Sequence, residues 1–303
     1  GADITAGVLA SGLAESDALT MFIGVGTNGE IVLGSKDWLV TCACSAGPAF
    51  EGAGVVCGMR ATRGAIEEVW INSQTLEPTY RVIGETAPKG ICGSGLISLV
   101  AELFITGVVD KGGKFNVGAG LAPALAGADA RPAPTSAPTP RVREGEHGAE
   151  YVLAPARESG TGKDIVITKV DIDNLLRAKA AIYAGFTVLA QSVGVNLADV
   201  ERLLIGGAFG KYINVEKAVQ IGLLPDMPWD RFNFLGNTSV MGAYMALLSR
   251  QARAQIKAIA QKMTYIELSA DNTFYDAFTS ALFLPHTDMS RFPTVEADFH
   301  DKP

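Results

Sequence analysis

The sequence has few residues of the kinds that hold metals. It contains three histidines and four cysteines, Cys42, Cys44, Cys57 and Cys92. None of these cysteines forms a Cys-x-x-Cys pair, so the spacing disfavours a zinc or iron–sulfur site in this chain. Thiols in apolar or glycine-rich surroundings are typical of reduced cytosolic proteins. We therefore expect a cytoplasmic protein with free cysteines and no metal ligands among them.

Long apolar runs and an excess of positive charge are also missing. No run reaches the roughly 18 apolar residues that a membrane span needs. The 25 basic residues are outnumbered by 32 acidic ones, for a net charge of −7. Because phosphate recognition needs clustered Lys and Arg, we expect neither nucleic acid nor a membrane as a partner. Residues 1–4 lack the basic start of a signal peptide, and we expect the chain to be a piece of a longer protein.

Apolar residues and glycine are abundant instead. Of the 303 residues 48% are hydrophobic and 19% are charged, which is typical of a globular chain with one large domain or two ordinary ones. The 34 glycines follow no three-residue period, so a collagen-like chain is excluded.

Three apolar segments joined by short turns open the core, at 19–23, 30–33 and 38–44. The first turn contains Asn28-Gly29, the strongest short-range signal for a hairpin. Further strands are predicted at 69–72, 80–83, 165–167, 200–205 and 265–268, and helices at 2–14, from about 48, 96–106, 171–193, 215–221, 237–249, 251–262 and 272–283. The pattern predicts an α/β fold whose mixed sheet begins with an antiparallel three-strand meander and has helices on both faces.

Residues 118–163 differ in character from the rest. Ala, Pro, Gly and Ser dominate, and four prolines lie between Arg131 and Arg141. The segment has no period of 2 or 3.6 residues, so we expect an insertion that leaves the sheet as a loop or small subdomain.

The first glycine cluster, residues 24–29, matches Gly-x-Gly-x-x-Gly. A dinucleotide fold needs this loop to open a helix, whereas here a β-branched segment follows, so the pattern favours a hairpin. A glycine-rich hairpin still binds phosphate when backbone N–H groups turn inward. The predicted phosphate-binding residues are Gly26, Asn28, Gly29 and Thr27, whose hydroxyl is a further donor. The alternative is an ordinary Asn-Gly turn.

A second glycine cluster follows the predicted strand 200–205. Gly206 and Gly207 let a flat ring approach the backbone, with Ala208 and Phe209 beside it and Lys211 at the border of base or ribose. Glycine loops at two strand ends, far apart in sequence, are what a nucleotide cleft requires. The alternative is a tight strand-to-helix connection.

Six segments together resemble the C-terminal region of the reductive activators of corrinoid proteins. These are 26–30 (GTNGE), 44–52 (CSAGPAFEG), 58–61 (GMRA), 91–95 (ICGSG), 206–210 (GGAFG) and 284–288 (LPHTD). That family belongs to the actin/Hsp70/sugar-kinase (ASKHA) superfamily of ATPases. The resemblance implies a ribonuclease-H-like, actin-like ATPase lobe over residues 19–296, preceded by a connecting helix from a missing N-terminal lobe at 1–18 and followed by a tail at 297–303.

The resemblance also implies a function for the whole protein. Members of the family use ATP and Mg²⁺ to drive an electron from an iron–sulfur cluster to cob(II)alamin on a corrinoid partner protein, which restores cob(I)alamin. The cluster lies in a domain that this chain does not contain. We expect a homodimer, and we expect the isolated chain, as half of a cleft, to bind ATP poorly and to be inactive.

One position departs from the family. Gly24 stands where the family has an Asp, a strand-end carboxylate that commonly orients the metal or the attacking water in this superfamily. Glu30 and Glu51 are the candidate catalytic replacements. A solvated hairpin residue is the alternative for Glu30, and a constrained loop residue for Glu51.

Two other functions remain open at this stage. The chain is alternatively a docking or dimerisation module that no longer hydrolyses ATP, because it lacks the carboxylate at position 24. It is also compatible with a fragment of a sugar or acetate kinase, although no substrate-binding motif supports that reading.

Overall fold

The computed structural model describes residues 1–26, 28–116, 141–207, 213–270 and 272–300. The helices in this part of the chain are α1 Ala2–Ser11, α2 Gly93–Ile105, α3 Lys169–Ser192, α4 Val215–Gln220, α5 Thr238–Leu248, α6 Arg250–Lys262, α7 Thr273–Ala281 and α8 Pro293–His300. The strands are β1 Thr20–Val25, β2 Gly29–Gly34, β3 Leu39–Cys44, β4 Ala65–Ile71, β5 Pro78–Val82, β6 Gly90–Ile91, β7 Val142–Gly145, β8 Gly148–Ala154, β9 Ile165–Thr168, β10 Arg202–Gly206, β11 Phe232–Gly236 and β12 Met263–Tyr265.

These elements form two compact units. Unit 1 comprises residues 1–47, 181–213 and 227–279, and unit 2 comprises residues 48–180, 214–226 and 280–303. Within the described ranges, no helix is both long and apolar enough to cross a bilayer.

Unit 1 contains a mixed six-stranded sheet in the order β11-β10-β1-β2-β3-β12. The predicted meander is confirmed, because β1 pairs antiparallel with β2 and β2 pairs antiparallel with β3. The other pairs in this sheet, β1 with β10, β10 with β11 and β3 with β12, are parallel. The carboxyl ends of β1, β10 and β11 therefore meet at one edge of the sheet.

Helices cover both faces of this sheet, as the sequence predicted. On one face Phe22 and Val32 pack into an apolar cluster with Val8 of α1. On the other face α3 approaches so closely that a Cβ on its Gly185 would lie 2.2 Å from the Cys44 Sγ and 2.8 Å from an Ile31 methyl. Successive side chains of β1 and β2 point to opposite faces, and because both strands are buried almost continuously they supply both faces.

Helix α1 is an integral part of unit 1 rather than only a connection. Its apolar face lies in the core, where Ile4 and Val8 are almost inaccessible to solvent. Its backbone touches α5, since a Cβ at Gly242 would lie 2.1 Å from the Ala6 carbonyl oxygen. Glycine at this position permits two helix backbones to meet.

Unit 2 contains two three-stranded sheets, β5-β4-β6 and β7-β8-β9. Its interior holds charged groups. Lys217 and Glu102 form a buried ion pair. The ammonium of Lys179, which is fully buried, donates to the carbonyl oxygens of Phe283 and of Pro285, the latter at 2.7 Å. Burial holds the pKa of Lys179 well below its ordinary value. These contacts attach the segment that carries the 284–288 motif to helix α3.

Several predicted elements need correction. The helix expected from Pro48 is a short 3-10 turn, Pro48–Glu51, because glycines follow at once. The strand expected at 265–268 lies instead at Met263–Tyr265. Strand β11 was not predicted. Residues 297–300, expected to be part of a tail, complete α8, where Phe299 is buried against Phe104 with ring centroids 5.2 Å apart.

The expectation of a loop through residue 163 is also wrong in part. Residues 142–154 form β7 and β8, and β8 is the central strand of its sheet. Tyr151 and Leu153 are fully buried there. Because several consecutive residues of β8 are buried on both faces, the period-2 alternation of a half-exposed strand is absent from the sequence. Residues 117–140, which contain the four prolines, lie outside the described residues.

Candidate nucleotide site

The two glycine clusters singled out from the sequence meet at one edge of the unit 1 sheet. Strands β1 and β10 are parallel neighbours in which Gly24 lies opposite Gly206. On the far side of β10, Gly206 lies opposite Gly236 at the end of β11. Three strand ends thus bring glycine backbone to the same edge, which is where ligands bind in open α/β sheets. Gly24 and Gly206, 182 positions apart in the chain, become direct neighbours.

The first cluster forms a tight hairpin, as predicted. Val25 pairs with Gly29 across the turn, and the Gly26 N–H donates to the Asn28 carbonyl oxygen at 3.0 Å. Asn28 is exposed and Gly29 is buried beneath it. The Gly26 amide is therefore engaged within the turn itself. Thr27, the predicted hydroxyl donor, lies outside the described residues.

The glycines at this edge are of two kinds. A Cβ at Gly206 would lie 2.5 Å from the Thr238 Oγ1, and one at Gly207 would lie 2.4 Å from the Val25 carbonyl oxygen. Gly207 also has a φ of +107°, which side chains rarely adopt. The packing of the protein itself therefore requires glycine at these two positions.

Gly24 and Gly26 have no such requirement. The nearest atom to a Cβ would be 3.7 Å away at Gly24 and 3.8 Å away at Gly26, both ordinary contact distances. Neither residue has the left-handed backbone conformation that favours glycine. Neither packing against the described residues nor backbone conformation therefore requires glycine here, and the missing side chain of the exposed Gly26 allows a ligand to approach the backbone closely.

Glu30 points toward the space beside Gly24. Its Oε2 lies 3.9 Å from the position that a Cβ on Gly24 would occupy. The side chain is half-buried, so it is not the fully solvated hairpin residue that the alternative reading described. Burial, and next the negative charge of Asp3, raise the pKa of Glu30 above its ordinary value of 4.5. A carboxylate is thus present next to the position where the family's Asp would stand.

The remaining predicted site residues lie elsewhere. Glu51 ends the 3-10 turn of unit 2 and is exposed. Since it belongs to the other unit, the structure does not join it to the edge that carries Glu30. Ala208, Phe209 and Lys211 lie outside the described residues.

The sequence analysis missed two features of this edge. Asp3 in the first turn of α1 acts electrostatically on Glu30, which is 27 positions away in the chain and carries no local signal. The end of β11 leads directly into α5, where the Asn237 side chain caps the helix by accepting from the Val240 N–H at 3.1 Å. The helix was predicted, but the place of its cap at the glycine edge depends on β11, whose Asn233 and Gly236 weaken the strand pattern.

The sheet order and the glycine-lined strand ends define an α/β domain of the actin-like, ASKHA class. The family model for the C-terminal domain of RACo, the ASKHA domain, matches residues 18–296. The chain belongs to this family.

Known proteins resemble the chain over nearly its whole length. The corrinoid activation enzyme RamQ of Eubacterium limosum is 39% identical over 279 residues, which cover 92% of this chain and 44% of that protein. The Co(II) methylated amine-specific corrinoid protein reductase of Methanosarcina barkeri is 25% identical, with 93% of this chain and 49% of that protein covered. A solved structure, a reductive activator for corrinoid, iron–sulfur protein, has a TM-score of 0.85 and 53% identity over 96% of this chain and 44% of its own. The chain spans about half the length of these proteins.

Proposed function

We propose that the glycine edge of unit 1 binds the phosphates of ATP. The observation that carries this proposal is the meeting of glycine strand ends at Gly24 and Gly206, beside Glu30, a carboxylate whose pKa is raised by burial and by a second carboxylate. Perturbed carboxylates are typical of functional sites. Gly206 and Gly207 keep the neighbouring strand end free of side chains.

The residues present fit ATP with Mg²⁺. Gly26, Asn28 and Gly29 are proposed as the phosphate contacts of the turn, although the Gly26 N–H already donates to the Asn28 carbonyl oxygen. Glu30 is the carboxylate beside the position of the family's Asp. When bound, the metal would neutralise phosphate charge and orient water. Glu30 would hold the metal-bound water or accept its proton, a role for which a raised pKa is suited. Thr27, Ala208, Phe209 and Lys211 are proposed as further nucleotide contacts on sequence grounds, and Glu51 as the rival carboxylate.

The full reaction belongs to a longer protein. By similarity to the corrinoid activators, we propose that ATP hydrolysis on this domain drives one electron from an iron–sulfur cluster, held elsewhere in the polypeptide, to cob(II)alamin of a corrinoid partner protein. The electron reduces Co(II) to Co(I), and ATP becomes ADP and phosphate. We place this reaction in the cytoplasm and assign it to a homodimer.

The phosphate proposal is tested by adding a methyl group to the glycine turn. Gly26→Ala adds a methyl group that meets no protein atom within 3.8 Å, so we expect the variant to fold normally and to bind ATP about tenfold more weakly. Gly112→Ala is a matched control, because its Cβ is also free of close contacts, at 3.4 Å from the nearest atom. Calorimetric titration of the longer protein with ATP and Mg²⁺ measures the affinity. Unchanged affinity in Gly26→Ala would remove the glycine turn from the site.

A further inference from the structure

The first turn of α1 reaches the strand end that carries Gly24. A Cβ on Gly24 would lie 3.7 Å from the Ile4 Cδ1 and 3.9 Å from the Glu30 Oε2. The glycine edge is thus approached by α1 as well as by β2. Since Gly24 has no side chain and Ile4 is apolar, neither of them places a second charge beside Glu30.

The negative charge of this turn is carried by Asp3, the residue before Ile4. Packing fixes the position of the turn, because Ile4 and Val8 are buried and the Ser239 hydroxyl donates to the Asp3 carbonyl oxygen at 3.4 Å. The Asp3 side chain is exposed, and its Oδ1 lies 2.7 Å from the place of a Cβ on Gly1, the N-cap residue. The carboxylate therefore lies at the N-terminal end of α1, where the helix dipole favours negative charge.

The charge of Asp3 acts on Glu30. Burial raises the pKa of Glu30 most, and the charge of Asp3 raises it next. Two other titratable groups of the described residues face Glu30. One is the Cys44 thiol on β3, whose pKa is raised by its hydrogen bond to Cys42, by burial and, more weakly, by Glu30. The other is the amino group of Gly1, which lowers the pKa of Glu30 and which a preceding residue would convert to an uncharged amide.

We propose that Asp3 is a positioning residue of the glycine edge, which keeps Glu30 able to accept the proton of the water that attacks ATP. The inference rests on the proposed function of this edge. In that step the water oxygen bonds to the γ-phosphorus, the bond to the ADP oxygen breaks with its electron pair staying on ADP, and the water proton passes to Glu30. A neighbouring carboxylate makes Glu30 a stronger base, because protonation of Glu30 relieves the repulsion between the two.

The pH dependence of the ATPase rate tests the role of Asp3 in the longer protein. Asp3→Asn removes the charge, and we expect the acidic limb of the kcat profile to move to lower pH. The plateau should fall about threefold, as for a weaker base, with the KM for ATP unchanged. Asp3→Glu keeps the charge and should follow the parent. Glu15→Gln is the matched control, because it removes the same charge from an exposed residue beyond the other end of α1, where Glu15 accepts from Gln255.

Titration of the Glu30 carboxyl by carbon-13 NMR in this chain needs no ATP and so separates the inference from the proposed function. We expect a lower midpoint in Asp3→Asn than in the parent. The difference should shrink between about 0.1 M and about 1 M salt, since the Debye length falls from about 10 Å to about 3 Å.

Two results overturn the inference while the proposed function stands. One is an equal midpoint in Asp3→Asn and the parent, and the other is a lower midpoint with an unchanged kcat profile. An Asp3→Asn variant with a raised KM and the parent's profile also overturns it, because Asp3 then only supports nucleotide binding. An ATPase rate that survives Glu30→Gln overturns the proposed role of Glu30 and this inference with it.

Discussion

Two glutamate carboxylates, one in each unit, have opposite surroundings. In unit 2 the Glu102 carboxylate is buried, accepts from the Ile71 N–H at 2.7 Å and is paired with Lys217. In unit 1 Glu30 is half-buried and has Asp3 as an acidic neighbour, so its pKa is raised. A buried carboxylate that is paired and hydrogen-bonded is costly to unpair and has a structural role, whereas one with an acidic neighbour and a raised pKa is a candidate for chemistry. We therefore assign a structural role to Glu102 and a functional role to Glu30.

The largest expected effect is on stability, and it comes from removing one partner of the buried Lys217–Glu102 ion pair. Lys217→Met leaves Glu102 buried without its counter-charge, and we expect a loss of about 3–5 kcal/mol in the free energy of unfolding. Urea denaturation measures it. In Lys217→Met with Glu102→Gln, a neutral amide oxygen still accepts from Ile71, so most of the stability should return. A loss below about 1 kcal/mol in the single variant would show that the pair is solvated.

The next effect tests Glu30 as the functional carboxylate. Glu30→Gln in the longer protein should lower the ATPase rate about 100-fold, which corresponds to roughly 3 kcal/mol of transition-state stabilisation. Because Glu30 already lies beside position 24, Gly24→Asp alone should add little, since it places two carboxylates together. Gly24→Asp in the Glu30→Gln background should restore part of the rate. If Glu51→Gln abolishes ATP hydrolysis while Glu30→Gln does not, the catalytic carboxylate is Glu51 rather than Glu30.

Substitutions at the two kinds of glycine are expected to have an intermediate effect, which is again on stability. Gly206→Ala forces a Cβ to within 2.5 Å of the Thr238 Oγ1 and 2.9 Å of the Phe22 ring, so we expect a loss of about 1–3 kcal/mol in stability. Gly24→Ala meets nothing closer than 3.7 Å and should leave the stability within about 1 kcal/mol of the parent. Thermal and urea unfolding of the two variants side by side measure the difference. Equal losses would mean that Gly24 is packed as tightly as Gly206.

The smallest effect is the pH dependence of stability contributed by Glu30. Because the pKa of Glu30 is raised in the folded protein, the folded state binds this proton more tightly than the unfolded chain does. Below the ordinary pKa the Glu30 carboxyl is protonated in both the folded and the unfolded state, so it does not affect stability. As the pH rises from there through the raised pKa, the folded state loses stability relative to the unfolded chain. We expect Glu30→Gln to be more stable than the parent at pH 7, with the difference vanishing near about pH 4.

Urea midpoints measured across that pH range provide the readout for this titration. The exposed Glu144 supplies the matched control, and Glu144→Gln is expected to follow the parent at every pH. A Glu30→Gln variant that also follows the parent throughout would show that Glu30 is solvated in the folded protein.

The sequence predicted the parts of this fold that rest on local signals. Asn28-Gly29 between two apolar segments is sufficient for the hairpin, because turn geometry determines the register of the strands that it joins. Strand β8 was missed because a strand buried on both faces has no alternation. Gly206 and Gly24 were both identified, but their pairing comes from a parallel contact between distant segments. The effect of Asp3 on Glu30 depends on the docking of α1, which no local pattern encodes.

The backbone contact between α1 and α5 at Gly242 links the position of α5 to the glycine edge. Asp3 lies in the first turn of α1, and the Ser239 hydroxyl on α5 donates to its carbonyl oxygen at 3.4 Å. A change in the position of α5 would therefore displace the charge of Asp3 relative to Glu30. By thermodynamic reciprocity, protonation of Glu30 would in turn influence the position of α5. Carbon-13 NMR titration of the Glu30 carboxyl in the parent and in Ser239→Ala, which lacks the hydrogen bond to Asp3, measures this coupling, and identical titration curves would show that the two helices transmit nothing.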